Sequence, residues 1–230
     1  MKKHCCLILL LALLGCKNEV KNSSNDSNKN KDEQIFNKKR KVNNIIKEEK
    51  IVITQEIVIS FLKDYGEKNP EKNCVIETKF GDIEIELFEN TPLHRANFIH
   101  LVKNNYFNTT YFHRVVKGFI IQGGNSDEMK TQKSRKAIGD YLIPPEFTGN
   151  QHHYGALAAA RAWIGNPDKL SNPFEFYIIQ NKGGSYHLDG EHTVFGRVTK
   201  GMNVVEEIAN QPIDAGEYPL INIHLKIRLQ

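Results

Sequence analysis

A short apolar segment carries one arginine and one glutamine and ends on two glycines. It spans residues 112–124 and reads Phe-His-Arg-Val-Val-Lys-Gly-Phe-Ile-Ile-Gln-Gly-Gly. Its β-branched and aromatic residues predict two short strands joined at Lys117-Gly118. On such a frame Arg114 presents five donors in a rigid fork, which suits holding a carbonyl group or facing an amide nitrogen. The segment therefore predicts a site that grips a peptide without cutting it.

This segment resembles the signature of the cyclophilin family of peptidyl-prolyl cis-trans isomerases, and the similarity runs through residues 75–229. Two further runs match the family: Gly-Ala-Leu-Ala-Ala-Ala from Gly155 and Leu-Asp-Gly-x-His from Leu188. The resemblance implies a closed antiparallel barrel that binds proline-containing peptide segments, with Arg114 as the catalytic residue. It implies no metal and no other cofactor.

The resemblance also implies which residues form the substrate groove. Phe119 and Ile120 match residues that line the proline pocket, and Gln122 matches one that binds the substrate backbone. Ala160 falls at a backbone contact, and Tyr177 falls at the floor of the pocket. The complete set implied for substrate binding is Phe119, Ile120, Gln122, Ala160, Arg161, Glu175, Tyr177, His187, Leu188 and His192.

Three of these positions depart from the family pattern. Glu175 stands where the family commonly has glutamine, and its carboxylate could pair with Arg114 or Arg161. Arg161 replaces an asparagine, but that contact is largely through the backbone. His187 replaces a tryptophan, which argues against sensitivity to cyclosporin. Since a tight pair with Glu175 would draw Arg114 off its target, a catalytically weak or inactive peptide-binding module stays open as the alternative function.

The loop beside the predicted groove is longer than in eukaryotic members of the family. It spans residues 162–173 and carries Trp163, the one tryptophan of the chain. The sequence leaves two interpretations of the role of Trp163 open. Its ring either contacts the substrate or packs over its own loop.

The chemistry of X-Pro isomerisation needs no nucleophile. The barrier of about 18–20 kcal/mol arises because amide resonance is broken as the bond twists. A charge-assisted hydrogen bond contributes about 1.5–3 kcal/mol, so Arg114 must act together with a groove that holds and desolvates the peptide.

A metal hydrolase is the third class of function considered for this chain. Its signal is weak, because the adjacent His152 and His153 do not share a helix face and are expected in a loop.

Short strands dominate the remainder of the chain. A Thr91-Pro92 start signal predicts one helix, and a second is predicted near residues 203–209. Alternating or apolar runs predict further strands at residues 75–79, 82–88, 155–160, 174–179, 193–198 and 220–229. With the resemblance, this pattern predicts a mainly β fold over residues 73–230, a closed eight-stranded antiparallel barrel capped by two helices.

The first residues of the chain predict export. Residues 1–15 have the layout of a secretory signal, and Leu-Leu-Gly-Cys resembles a lipobox that makes Cys16 the lipidated first residue. An ordinary signal peptide with a chance cysteine is the alternative. The polar residues 16–44 predict a disordered tether. Residues 45–72 predict a helical extension capped by Thr54 and ended by Gly66, with an apolar face at Val58, Phe61, Leu62 and Tyr65.

Composition sets the remaining expectations. The formal net charge is +4 with acidic residues interspersed, so nucleic acid is not expected as a partner. Cys74 is the one cysteine outside the targeting segment and is expected as a small buried apolar group. The function predicted is an isomerase that assists the folding of exported proteins. It is expected to be a monomer, outside the cytoplasm and held on a membrane through Cys16.

Overall fold

The computed structural model describes residues 51–230. The predicted signal segment 1–15, the lipidation site Cys16, the tether to residue 44 and residues 45–50 of the extension lie outside the described residues. Residues 51–230 form one compact unit. The elements in chain order are β1 (Ile53–Thr54), α1 (Val58–Lys68), β2 (Asn73–Thr78), β3 (Gly81–Leu87), α2 (Pro92–Lys103), β4 (Tyr111–Val116), β5 (Ile120–Asn125), α3 (Met129–Ile138), β6 (Gly139–Asp140), β7 (Ala156–Ala159), β8 (Phe176–Ile179), β9 (Val194–Lys200), α4 (Met202–Ala209) and β10 (Ile223–Leu229).

Eight of the strands close into a barrel. Their order around it is β10, β2, β3, β9, β7, β8, β5 and β4, and β10 pairs with β4 to close the ring. Each pairing around the ring is antiparallel. The predicted closed eight-stranded antiparallel barrel is therefore confirmed.

Alternation along the strands separates the barrel interior from its outer surface. In β3, Ile83, Ile85 and Leu87 are buried while Asp82 is exposed, as expected for a strand with one solvated face. Strands β5, β7 and β8 instead bury both faces. Their outward residues join a second apolar cluster of Ile120, Ala156, Ala158, Ala160, Tyr177, Ile179, Leu188 and Val194. This outer cluster forms the base on which the candidate site is built.

Helix α2 begins where the sequence predicted, with Thr91 as the residue before the helix and proline in its first turn. The Thr91 side chain makes no cap hydrogen bond there. Instead, both carboxylate oxygens of Glu146 accept hydrogen bonds of 3.0 Å from the backbone amides of Leu93 and His94. A carboxylate in this position satisfies free N–H groups of the first turn and complements the helix dipole.

The structure describes four helices where the sequence predicted the extension and two helices on the barrel. The helix that was not predicted is α3, Met129–Ile138. Its only buried residues are Thr131 and Ile138. Since helix periodicity is read from apolar spacing, a helix this polar gives no such signal. The predicted helix near residues 203–209 is confirmed as α4.

Helix α1 packs on α2. Val58 and Leu62 are buried, and Phe61 and Tyr65 pack against the core from partly buried positions. Two details of its prediction were wrong. Thr54 does not cap the helix but lies in β1, which pairs with β6. Gly66 does not end the helix, because it is buried inside α1 where a Cβ atom would lie 3.1 Å from the Ala96 Cβ.

The single cysteine in the described range is buried. Cys74 lies in β2 with none of its surface exposed, and burial raises the pKa of its thiol to about 12. The expectation of a small buried apolar group is confirmed. Among residues 51–230, none of the helices has the length and apolar character needed to cross a bilayer.

Candidate active site

A groove of about 690 Å³ is lined by residues of β4, β5 and β8 and by the segment that follows β7. The structure brings all of the predicted catalytic and substrate-binding residues to its lining. Three residues that were not predicted as site residues, Ala162, Trp163 and Asn172, complete it. The lining residues are Arg114, Phe119, Ile120, Gln122, Ala160, Arg161, Ala162, Trp163, Asn172, Glu175, Tyr177, His187, Leu188 and His192.

The barrel register places the polar residues of the groove in one row. Arg114 in β4 lies opposite Gln122 in β5, and Gln122 lies opposite Tyr177 in β8. Because residues opposite each other in neighbouring strands point to the same face, the arginine, the amide and the aromatic ring face the groove together.

Arg114 faces the groove because β4 is irregular. Phe112 and Val115 are fully buried in the barrel, and the register between β4 and β5 shifts between Phe112 and Arg114. In a regular strand residues 112 and 114 would share a face. The extra residue, His113, has the effect of a β-bulge and turns Arg114 outward.

The guanidinium group of Arg114 is held from one side by Glu217. Arg114 Nε donates a hydrogen bond of 2.6 Å to Glu217 Oε2. Glu217 is fixed in turn through its carbonyl oxygen, which accepts a 2.9 Å hydrogen bond from the amide of Val115. Of the three guanidinium nitrogens of Arg114, only Nε has a hydrogen-bond partner within residues 51–230. The two Nη groups are therefore left for a ligand in the groove.

Glu175 does not pair with Arg114 or Arg161, which corrects the sequence expectation. Its carboxylate accepts hydrogen bonds from Gln122 Nε2 at 3.0 Å and from Arg135 Nη2 at 3.3 Å. His113 Nε2 lies 3.6 Å away. Burial favours the neutral acid, but the nearby His113 ring and the Arg135 guanidinium outweigh it, so the pKa of Glu175 is lowered. An ionised carboxylate only accepts, so it orients the amide of Gln122 with its NH₂ group toward Glu175.

Arg161 is bound to a different carboxylate. Its Nη2 donates to Glu191 Oε2 at 2.6 Å, and its Nε donates to the Glu191 carbonyl oxygen at 2.6 Å. With 3% of its side chain exposed, the Arg161 guanidinium is a buried part of the groove wall.

Aromatic rings and histidines surround the apolar part of the groove. Phe119 stacks on His187 with ring centres 5.8 Å apart, and Tyr177 meets His192 edge to face at 5.5 Å. His192 Nδ1 donates to the Ala159 carbonyl oxygen at 3.0 Å. Burial, with the nearby positive charge of Arg161, lowers the pKa of His192 to about 4. His192 is therefore uncharged at neutral pH, which suits contact with an apolar ring.

His152 supports this pocket from behind. It is fully buried, with Nδ1 at 2.7 Å from Asp189 Oδ1 and Nε2 at 3.0 Å from the Tyr177 hydroxyl. The pKa of His152 is lowered because burial outweighs the attraction of Asp189. This residue was expected as an ordinary loop histidine. Within residues 51–230 there is no group of three or more His, Cys, Asp or Glu side chains placed to hold a metal ion.

Three supporting residues were not predicted from the sequence: Glu217, Arg135 and His152. Glu217 and Arg135 lie in segments without an apolar pattern, and their partners are 103 and 40 residues away in sequence. His152 carried one usable signal. It stands just before the predicted strand at residues 155–160, but its partner Asp189 is 37 residues away in the sequence, and spacing alone does not join them.

A closed antiparallel barrel with an arginine and a glutamine beside an apolar groove defines a protein built to bind an extended peptide on its surface. The family model for "Cyclophilin type peptidyl-prolyl cis-trans isomerase/CLD" matches residues 74–228. The chain belongs to this family and is a peptidyl-prolyl cis-trans isomerase. The family resemblance noted in the sequence is confirmed.

Individual relatives agree with this assignment. A peptidyl-prolyl cis-trans isomerase of Acinetobacter baylyi is 39% identical over 144 residues, covering 61% of this chain and 74% of that protein. Peptidyl-prolyl cis-trans isomerase-like 3 of Dictyostelium discoideum is 36% identical over 157 residues, covering 67% of this chain and 92% of the relative. A crystal structure of a cyclophilin type isomerase of Cryptosporidium parvum, determined in the presence of the dipeptide Ala-Pro, has a TM-score of 0.58 and 27% identity over 69% of this chain and 99% of that one.

Proposed function

We propose that Arg114 stabilises the twisted X-Pro amide of a peptide held in the groove. As the bond twists, the prolyl nitrogen regains a lone pair, and an Nη group of Arg114 can donate a hydrogen bond to it. Gln122 and the backbone at Ala160 hold the flanking peptide, and the apolar pocket with Phe119 takes the proline ring. The observation that carries this proposal is the 2.6 Å bond to Glu217, which fixes the guanidinium of this groove-lining arginine and leaves both Nη groups without a hydrogen-bond partner in residues 51–230.

The expected cost of removing this donor follows from its strength. A hydrogen bond to a charged group contributes about 1.5–3 kcal/mol, so Arg114→Ala should lower kcat/KM roughly 10- to 150-fold. The measurement is a proline-peptide isomerisation assay with a folded variant. Arg197→Ala is the matched control, because Arg197 pairs with Glu86 on the barrel surface and its side chain is 61% exposed. Equal activity of Arg114→Ala and the control would refute the role of Arg114.

We also propose that the enzyme assists folding of exported proteins as a membrane-anchored monomer outside the cytoplasm. The support is the Leu-Leu-Gly-Cys run ending at Cys16, together with the slowness of uncatalysed isomerisation, which takes tens to hundreds of seconds. Proline-containing segments of newly exported chains are the proposed clients. Each acyl methylene buried in a bilayer contributes about 0.8 kcal/mol, so several chains on Cys16 would hold the protein firmly.

Mass spectrometry of the N-terminal peptide tests the anchor. The expected result is a mature chain that starts at Cys16 and carries acyl groups, and Cys16→Ser should move the protein from the membrane fraction to the soluble fraction. Cys74→Ser is the control, because that thiol is buried in the barrel. An unmodified N-terminus at another residue would contradict the anchor without touching the isomerase assignment.

A further inference from the structure

The rim of the groove carries an exposed apolar pair. Trp163 is 61% exposed and Ile164 is 93% exposed, on the loop that follows Arg161. The Trp163 ring lies in the groove lining, and its centre is 5.3 Å from that of His192 in the pocket wall. A large aromatic ring left this open beside a binding groove marks a contact surface.

The ring is held in place from below. Arg161 Cζ lies 4.3 Å from the centre of the Trp163 ring, in a cation–π contact. Arg161 is itself fixed by its two bonds to Glu191 and by a third, from Nη1 to the Ala162 carbonyl oxygen at 2.9 Å. One face of the ring is therefore in contact with a buried, immobile group, while Trp163 as a whole stays 61% exposed.

The loop that carries the pair is tied by one asparagine. Asn166 Nδ2 donates to the carbonyl oxygens of Ala162 at 3.1 Å and Leu170 at 2.9 Å, and Asn166 Oδ1 accepts from the Leu170 amide at 2.9 Å. These bonds close the turn on which Trp163 and Ile164 stand. A contact surface that is already ordered loses little entropy when a ligand binds.

We propose that Trp163 and Ile164 form a subsite for an aromatic or branched aliphatic side chain of a peptide residue flanking the proline. This inference rests on the proposed function, because it takes the groove as the place where the peptide lies. An extended chain advances about 3.3–3.6 Å per residue, and the ring centre lies 5.3 Å from His192, so the side chain belongs to a residue one or two positions from the proline. The subsite gives the enzyme a preference among proline sites.

The single tryptophan of the chain provides a direct readout, because all tryptophan emission of the full chain comes from Trp163. The probes are blocked peptides with an Ala-Ala-Pro-Ala core in which each flanking alanine is replaced in turn by phenylalanine. Phenylalanine at one flanking position should shift the emission to shorter wavelength and tighten binding about five- to tenfold over the all-alanine peptide. Calorimetry measures the same affinities without relying on fluorescence.

The variants separate the subsite from general effects on the groove. In Trp163→Ala, the ratio of kcat/KM for the phenylalanine peptide to that for the alanine peptide should fall at least fivefold, with a smaller fall in Ile164→Ala. Ile59→Ala is the control, since Ile59 is 44% exposed on α1 outside the groove lining. An unchanged ratio in Trp163→Ala would overturn the subsite.

The outcomes also distinguish this inference from the proposed function. Peptides that bind by calorimetry without any preference for phenylalanine and without an emission shift would overturn the subsite and leave the mechanism of Arg114 intact. A phenylalanine-dependent shift with undiminished turnover in Arg114→Ala would support the subsite and refute the mechanism. An emission shift with lipid vesicles or with protein concentration, but not with peptide, would assign the rim to a membrane or a second copy and overturn the proposal.

Discussion

The orientation of the Arg114 side chain depends on two features outside that side chain. The extra residue His113 turns Arg114 from the barrel interior to the groove, and Glu217 then fixes the guanidinium through Nε. An arginine loses considerable side-chain entropy when it is ordered, so a partner that orders it beforehand reduces the entropy lost on substrate binding. We infer that Glu217 acts as a positioning residue for Arg114.

Replacement of Glu217 tests this role. Glu217→Ala should lower kcat/KM several-fold, less than Arg114→Ala, because the donor remains and only its orientation is released. Glu217→Gln keeps an acceptor oxygen for Nε and should recover most of the loss. The measurement is the isomerisation assay with kcat and KM determined separately. If the alanine and glutamine variants are equally impaired, the carboxylate matters through its charge and the positioning argument fails.

At the site, the family resemblance predicted the groove residues correctly but did not predict the ion-pair partner of Glu175. Arg114, Phe119, Ile120 and Gln122 of the 112–124 segment were predicted as groove residues, and the structure places them there. The same holds for Leu188 and His192 of the Leu188 run. The partner of Glu175 was predicted wrongly, because Arg135 lies in a helix that the sequence pattern does not reveal. Charge pairs between distant segments depend on how elements pack, and a sequence alone does not contain that information in readable form.

At the scale of elements, one glycine sets the distance between α1 and α2. Gly66 is buried in the last turn of α1, two residues before the helix ends at Lys68, and a Cβ atom there would approach the Ala96 Cβ to 3.1 Å. From the sequence, Gly66 is expected at the end of the helix, because glycine after an apolar face commonly ends helices. Glycine inside a helix and glycine at its end look alike until the neighbouring helix is known.

This packing predicts the effect of a larger side chain. Gly66→Leu should lower the free energy of unfolding by about 1–3 kcal/mol, because the added atoms force α1 away from α2. The measurement is urea unfolding followed by circular dichroism at 25 °C. Lys63→Leu is the matched control, since it adds the same side chain at an exposed position of α1. A Gly66→Leu variant as stable as the control would show that α1 does not pack tightly on α2.

At the scale of the whole molecule, residues 51–72 belong to the folded unit although the family match begins at residue 74. Strand β1 pairs with β6, and α1 covers part of α2. The barrel itself was predictable, because its strands alternate and its motifs resemble those of a known family. The pairing of β1 with β6 was not, because two-residue strands carry no periodicity.

The buried histidines of the groove make stability of the whole molecule depend on pH. The pKa of His192 is lowered by burial from 6.5 to about 4, and burial also lowers that of His152. Between pH 6.5 and about pH 4, His192 binds a proton in the unfolded chain but not in the folded protein. The free energy of unfolding therefore falls as the pH drops below about 6.5. For His192 alone the loss between pH 6.5 and 4.5 is roughly 2 kcal/mol.

The test is the free energy of unfolding at several pH values between 7.5 and 4.5. Carboxylates whose pKa is lowered in the fold, such as Glu175, act in the same direction but chiefly below about pH 5, where an unfolded glutamate begins to bind protons. His192→Gln should therefore flatten the curve between pH 6.5 and 5, where histidine dominates. His153→Gln is the control, because His153 is exposed. Parallel curves for the native protein and His192→Gln would mean that His192 can be protonated within the folded groove, and the pocket wall would then carry a charge at mildly acidic pH.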